Sequence, residues 1–250
     1  MAEALLEVGG LVKSFGGLIA TNRVDFVVHA GETHAVIGPN GAGKTTLLAQ
    51  LAGDLRPDAG TIAFAGRDVT RLGSPARSHL GLARSFQITS VFREFTALDN
   101  VALAVQAHAG HSYRFWRDAA RDPALRDPAR AVLESVGLDA RGHVRAGDLA
   151  HGEQRQLEIA MALATRPRLL LLDEPMAGMG PDESQRMIDF LRTLKGRPTM
   201  LLVEHDMDAV FALADRISVM VYGRMIATGS PEAIRTNPEV RDAYLGEEDR

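Results

Sequence analysis

The stretch Gly38–Thr46, GPNGAGKTT, constrains this chain more than any other. It follows an apolar, β-branched run, Thr33–Ile37, and precedes Leu47, Leu48 and Leu51 at helical spacing. A glycine-rich loop therefore joins a buried strand to a helix start. Gly38, Gly43, Lys44 and Thr45 fit the phosphate-binding pattern GxxxxGK(S/T) without a mismatch. Glycines let the backbone curl so that successive N–H groups point inward and make a nest for phosphate oxygens. The helix N-terminus adds partial positive charge at the same spot. In this reading Gly38, Pro39, Asn40, Gly41, Ala42, Gly43, Lys44, Thr45 and Thr46 form the cradle. Lys44 reaches the β- and γ-phosphates, and the Thr45 hydroxyl is a candidate ligand for Mg²⁺. A plain turn with a surface lysine would match the composition but not the strand-to-helix context.

With 250 residues, 46% of them hydrophobic, the chain has material for one large or two small domains. A net charge of −4 without a basic tract argues against nucleic acid as the main partner. The absence of cysteine excludes disulfides and Cys-based metal sites. The opening MAEALLEVGG has neither a basic n-region nor a long apolar h-region, so no signal peptide is expected. Apolar runs such as Leu169–Leu172 fall far short of the roughly 20 residues a membrane helix needs.

Along the chain, residues 5–13 and 22–29 read as antiparallel strands around Gly16–Gly17, with Phe15 just before the turn. A helix over 43–53, strands at Thr61–Phe64 and Leu82–Phe86, and a short helix from Pro75 follow. Helical spacing then dominates: 98–108, an exposed excursion over 110–130 with a lone Trp116, a helix over 128–137, and one from Glu153 with Leu157, Ala160, Met161 and Ala164 on its apolar face. Strand–helix alternation resumes with LLLLD at Leu169–Asp173, a helix from Pro181, strands at Thr199–Val203 and Ile217–Val221 around a helix over Asp206–Ala214, and short helices from Pro231 and Pro238. The predicted class is α/β. Residues 1–87 and 166–250 would form a nucleotide-binding core with an antiparallel β subdomain, and 88–165 an inserted helical subdomain.

The run ending in Asp173–Glu174 delivers two carboxylates to a strand's C-terminal edge, where open α/β sheets bind ligands. Asp173 is a candidate Mg²⁺ ligand, and Glu174 a candidate to polarise water in line with the γ-phosphate. A carboxylate, a lysine and Mg²⁺ suffice as core parts for phosphoryl transfer, which needs positioning and charge neutralisation. Alone, such a pair would be an ordinary solvated strand end.

The whole set resembles an ATP-binding-cassette (ABC) ATPase over nearly all of the chain. The resemblance implies a P-loop NTPase core and ATP with Mg²⁺ as cofactors. Gln87, after the SF strand, is similar to the family's Q-loop glutamine, a Mg²⁺ and water ligand. Leu149, Ala150, His151, Gly152, Glu153 and Gln154 resemble the signature that meets ATP held by the opposite subunit. His205, in VEHDM, resembles the switch histidine, and Phe15 sits where the family stacks an aromatic on adenine. Singly, a glutamine, a histidine or an aromatic is an ordinary surface or core residue; order and spacing with two phosphate motifs give the set its force. The catalytic set implied is Lys44, Gln87, Glu174 and His205, with Thr45, Gln87 and Asp173 around the metal. One subunit then holds half a site, so two must face each other head to tail. Two positions depart from the pattern: Ala150 replaces the signature serine, and Gly180 in PMAGMGP replaces an aspartate.

Within the family, KSFGGLIA, LARSFQ, LAHGEQRQLEIAMALAT, DEPMAGMGP, VEHDMDAVFALADRI and DAYLGEE resemble the ATPase subunits of branched-chain amino acid importers. Partners implied are two membrane permease subunits, a second ATPase subunit identical or related, and indirectly a periplasmic solute-binding protein, with the chain at the cytoplasmic face of the membrane. Phe92, Arg93 and Phe95 are candidates to grip a permease helix, or else core of the helical subdomain. Cassettes for lipopolysaccharide export or for urea and amide import are alternatives, as are a non-transport ABC protein and a nucleotide-binding module without hydrolysis.

Overall fold

A computed structural model describes residues 3–85, 91–109 and 122–245. β1 (Ala4–Phe15) and β2 (Leu18–His29) form a long antiparallel hairpin. β3 (Thr33–Ile37) leads through the glycine loop into α1 (Lys44–Ala52), which ends on Gly53 in the left-handed region. β4 (Ala59–Phe64), β5 (Arg67–Asp68), α2 (Ser74–His79) and β6 (Leu82–Arg84) follow. The helical block carries α3 (Ala97–Ala109), α4 (Pro123–Ser135) and α5 (His151–Leu163). β7 (Leu169–Asp173), α6 (Pro181–Thr193), β8 (Thr199–Val203), α7 (Met207–Leu213), β9 (Arg216–Val221), β10 (Arg224–Gly229), α8 (Pro231–Arg235) and α9 (Pro238–Leu245) complete the order.

Two sheets result. The antiparallel one runs β2-β1-β4-β5, and the six-stranded one runs β10-β9-β3-β8-β7-β6, parallel except for β10. β3, β7 and β8 are buried at every residue, which is why they read as unbroken apolar runs. Alternation along a strand sends successive side chains to opposite faces. Leu169 and Leu171 pack with α1 and the antiparallel sheet, whereas Leu170 and Leu172 pack with the helical block and α6.

Arg77 of α2 pins α1 to the sheet edge. Its fully buried guanidinium donates to the carbonyls of Gln50 (2.7 Å), Leu51 (2.6 Å), Leu72 (2.9 Å) and Thr70 (3.2 Å). A cation at a helix C-terminus satisfies orphan carbonyls and the negative end of the dipole. Burial lowers its pKa to about 10, which leaves it charged at neutral pH.

Four expectations need correction. α4 starts at Pro123 rather than 128, because Asp122 caps the Ala124 N–H at 3.0 Å and Pro123 takes the first helical position. α5 starts at His151 rather than Glu153. The hairpin strand β10 was not foreseen: its residues are half-buried and lack a continuous apolar run. α7 begins at Met207, Asp206 being its N-cap through bonds from Asp208 and Ala209 N–H. β6 is described to Arg84; Phe86, Gln87 and Trp116 lie outside the described residues.

Candidate nucleotide site

The parallel sheet sets the geometry. Val36 of β3 and Asp173 of β7 both pair with Val203 of β8, so the three strands end in one row. The glycine loop, Glu174 and His205 all emerge from that C-terminal edge. Gly38 and Gly43 are there by necessity: at φ 156° and 102°, a Cβ on either would lie 2.0 Å from the carbonyl oxygens of Met220 and Ala20 respectively. The loop is moored to the β9–β10 turn, where Gly223 N–H donates to the Ala42 carbonyl at 2.9 Å. No side chain caps α1, whose N-cap Gly43 is left-handed, so its first N–H groups face outward, as an anion nest requires. Lys44 Nζ is buried against the loop, donating to the carbonyls of Gly38 (2.6 Å) and Pro39 (2.9 Å).

At the acidic strand end, Asp173 is fully buried. Its Oδ2 accepts from Arg84 (2.9 Å), which also binds Asp54 (2.9 Å). Its Oδ1 has no hydrogen-bond partner among the described residues. A buried carboxylate oxygen without a donor is costly unless something else fills its lone pairs. Mg²⁺ takes hard oxygen ligands, few of them from protein, the rest from water and phosphate. The orphaned Oδ1 and the exposed Thr45 hydroxyl are donors of that kind. Among the described residues no group of three or more His, Cys, Asp or Glu could hold an ion by itself. The residues thus fit an ion that arrives with nucleotide.

Glu174 adopts φ 46°, a left-handed conformation rare for a non-glycine residue. Its N–H donates to the Val203 carbonyl (2.9 Å), turning the chain sharply at the strand end and leaving the side chain half-buried at the edge. The exposed His205 places Nδ1 3.9 Å from Glu174 Oε1. A carboxylate and an imidazole this close can both face a water bound beside them.

The LAHGEQ turn divides into a buried frame and an exposed tip. Leu149 and Gln154 are buried, and Gln154 Nε2 donates to the Leu149 carbonyl at 2.9 Å. Ala150 and His151 are exposed beside a groove of about 280 Å³ lined by Arg141, Gly152, Glu153 and Glu183 among others. Burial pushes the Glu153 carboxyl up, but bonds from the Ala150 N–H (3.0 Å) and Arg141 (2.9 Å) outweigh it and hold the group below its usual range.

A family model described as "ABC transporter" matches residues 21–177. The chain belongs to the ABC transporter ATP-binding family. A second model, "Branched-chain amino acid ATP-binding cassette transporter", matches residues 224–250 of this cassette. It is 40% identical to the high-affinity branched-chain amino acid transport ATP-binding protein LivG of Salmonella typhimurium, over 99% of this chain and 100% of that one. The BraF protein of Pseudomonas aeruginosa, described in the same words, is also 40% identical over the same shares. Among solved structures, a nucleotide-free ATP-binding cassette from an ABC transporter superposes with TM-score 0.85 at 30% identity, covering 97% of this chain and 99% of that one. A cassette in its ADP conformation gives 0.85 at 29%, over 98% and 99%.

Both departures of this cassette from the family pattern fall on helix N-caps. Ala150 caps α5 and Gly180 caps α6, neither with a side-chain hydrogen bond. Asp182 and Glu183 in the first turn of α6 offset the loss through the dipole. At α5 only the Glu153-to-backbone half of a capping box remains. Ala150→Ser is expected to complete it, stabilising the protein by about 1 kcal/mol, or about 2–4 °C in melting temperature by calorimetry. An unchanged Tm would show that solvent already serves those N–H groups.

Phe15 ends β1 with 50% of its surface exposed, and Lys13 Nζ lies 5.6 Å from its ring centre, so it is not core. The two charged residues beside the site that sequence reasoning passed over are Arg84, which faces Asp173, and Glu204, which faces backbone N–H groups and His205. Both sit inside quoted motifs, LARSFQ and VEHDM, beside the residues that drew attention.

Proposed function

We propose that this cassette is the ATP-hydrolysing subunit of a membrane importer for branched-chain or related amino acids, working at the cytoplasmic face as a head-to-tail pair with a second cassette. The observation that carries the ATPase reading is the single row at the sheet edge, which aligns the glycine cradle, an Asp173 with an orphaned oxygen, and Glu174 beside His205. In this reading Lys44 and the N–H groups of residues 43–46 bind the phosphates. Thr45, Asp173 and Gln87 would hold Mg²⁺, which would supply charge neutralisation for the phosphates. Glu174 orients water, and His205 holds the γ-phosphate. The exposed Ala150 and His151 of a partner cassette, with the half-buried Gly152 behind them, close the pocket, and ATP thereby links the two halves.

The choice of solute rests on likeness. The 40% identity runs the full length of proteins named for branched-chain amino acid transport, and a model of that name matches the C-terminal segment. No helix among the described residues is long and apolar enough to cross a membrane, so permease subunits would supply the path. A solute-binding protein would deliver the amino acid to them. Proteoliposomes holding this cassette, its permeases and its binding protein should take up leucine with ATP inside; uptake of another solute class but not leucine would overturn the assignment.

The permease contact is assigned to the turn before α3. Phe92 and Phe95 are 56% and 45% exposed with ring centres 5.6 Å apart, and Arg93 between them is exposed. The buried Asn100 fixes this turn, accepting from Phe92 N–H (2.8 Å) and donating to the carbonyls of Phe92 (3.1 Å) and Thr96 (2.9 Å). A turn whose backbone is already held lowers the ordering cost of binding through its exposed aromatic pair. Replacing both phenylalanines by Ala is expected to lower leucine uptake about tenfold or more while basal ATPase stays within about twofold. Equal loss of both rates would remove the pair from coupling.

A further inference from the structure

Glu204 is fully buried beneath the site and has no role in the mechanism above. Its Oε1 accepts from the Met176 N–H (3.1 Å), in the loop that Glu174 opens. Its Oε2 accepts from the N–H groups of His205 (3.0 Å) and Asp206 (3.4 Å), the start of the next loop. The same oxygen lies 3.7 Å from His205 Nδ1. One carboxylate therefore fastens the loop after β7 to the loop after β8, each oxygen to one loop. Burial pushes this carboxyl up, against the three backbone donors and His205, which pull it down. A buried carboxylate is expensive, and an apolar residue would fill the volume at lower cost. Leu, Val and Ala occupy comparable positions throughout this core.

We propose that Glu204 is a positioning residue for ATP hydrolysis: it sets the separation of Glu174 and His205 by clamping the two loops that carry them. The inference rests on the functional reading above. Glutamine keeps the volume but offers one acceptor oxygen, and its NH₂ faces N–H donors, so one loop must let go. Glu204→Gln should lower kcat about tenfold with KM for ATP unchanged, because the cradle at residues 38–46 is untouched. Acting through His205, it should lose most of that effect in a His205→Ala background, to less than about twofold, in a double-mutant cycle.

Steady-state ATPase of wild type, E204Q, H205A and the double variant measures this. Equal losses from E204Q in both backgrounds would overturn the clamp while leaving the site intact. Full turnover in H205A would overturn the reading of the site itself, and the clamp with it. Should E204Q not fold, E204D decides: the shorter side chain keeps both oxygens but cannot reach both loops, so the clamp requires kcat to fall with KM for ATP unchanged, and full turnover in E204D sinks it.

Discussion

Glu174→Gln is expected to abolish steady-state turnover, by a factor of about 10²–10⁴, while ATP binding stays within about threefold of wild type. The carboxylate reaches the sheet edge through a left-handed residue at φ 46° whose N–H is tied to the Val203 carbonyl. Glutamine keeps the shape and the backbone bond but cannot take a proton from water. A strained conformation held at a strand end is tolerated when the surroundings over-determine it. The bound nucleotide should then persist, and the head-to-tail pair should accumulate with it. Size-exclusion chromatography in ATP and Mg²⁺ would show the dimer, and phosphate release the lost turnover. Undiminished phosphate release would remove Glu174 from the reaction.

Lys44→Ala is expected to weaken ATP binding about 100-fold, from the loss of a charge-assisted bond of about 2–3 kcal/mol. The ammonium is buried against the loop and held by the Gly38 and Pro39 carbonyls. Those short bonds keep the amine poised at the mouth of the cradle, so phosphate oxygens gain a counter-charge without a large rearrangement. The effect should fall on the triphosphate more than on adenosine, because the lost charge faces the phosphates alone. Calorimetric titration with ATP, ADP and AMP checks this. An equal loss for all three would point to a collapsed loop rather than a missing charge.

The two predictions depend on residues that differ in how they could be found. Lys44 and the glycines around it follow from spacing alone, because a phosphate nest is built from consecutive backbone units and needs no distant partner. Asp173 and Glu174 were legible for a related reason: a short unbroken apolar run ending in acids, set among strand–helix alternation, reads as a covered strand with its acids at the C-terminal end. The signature turn was legible as a motif, but its division into buried Leu149 and Gln154 and exposed Ala150 and His151 was not. Phe92 and Phe95 could equally have been core or surface; Asn100, several residues on, holds them outside.

The amino-acid sequence by itself determined the strand–loop–helix cradle, the covered strands and the order of the nucleotide motifs, since each rests on contacts within a few residues or on periodicity. Only the tertiary structure decided that Arg84 binds Asp173 from 89 positions away, that Glu204 spans to Met176 across 28, and that Arg77 closes the end of α1. These are buried charges whose partners come from other strands, helices and loops. A single buried ionic group carries no periodicity, so its role appears only when the sheet brings its partners together.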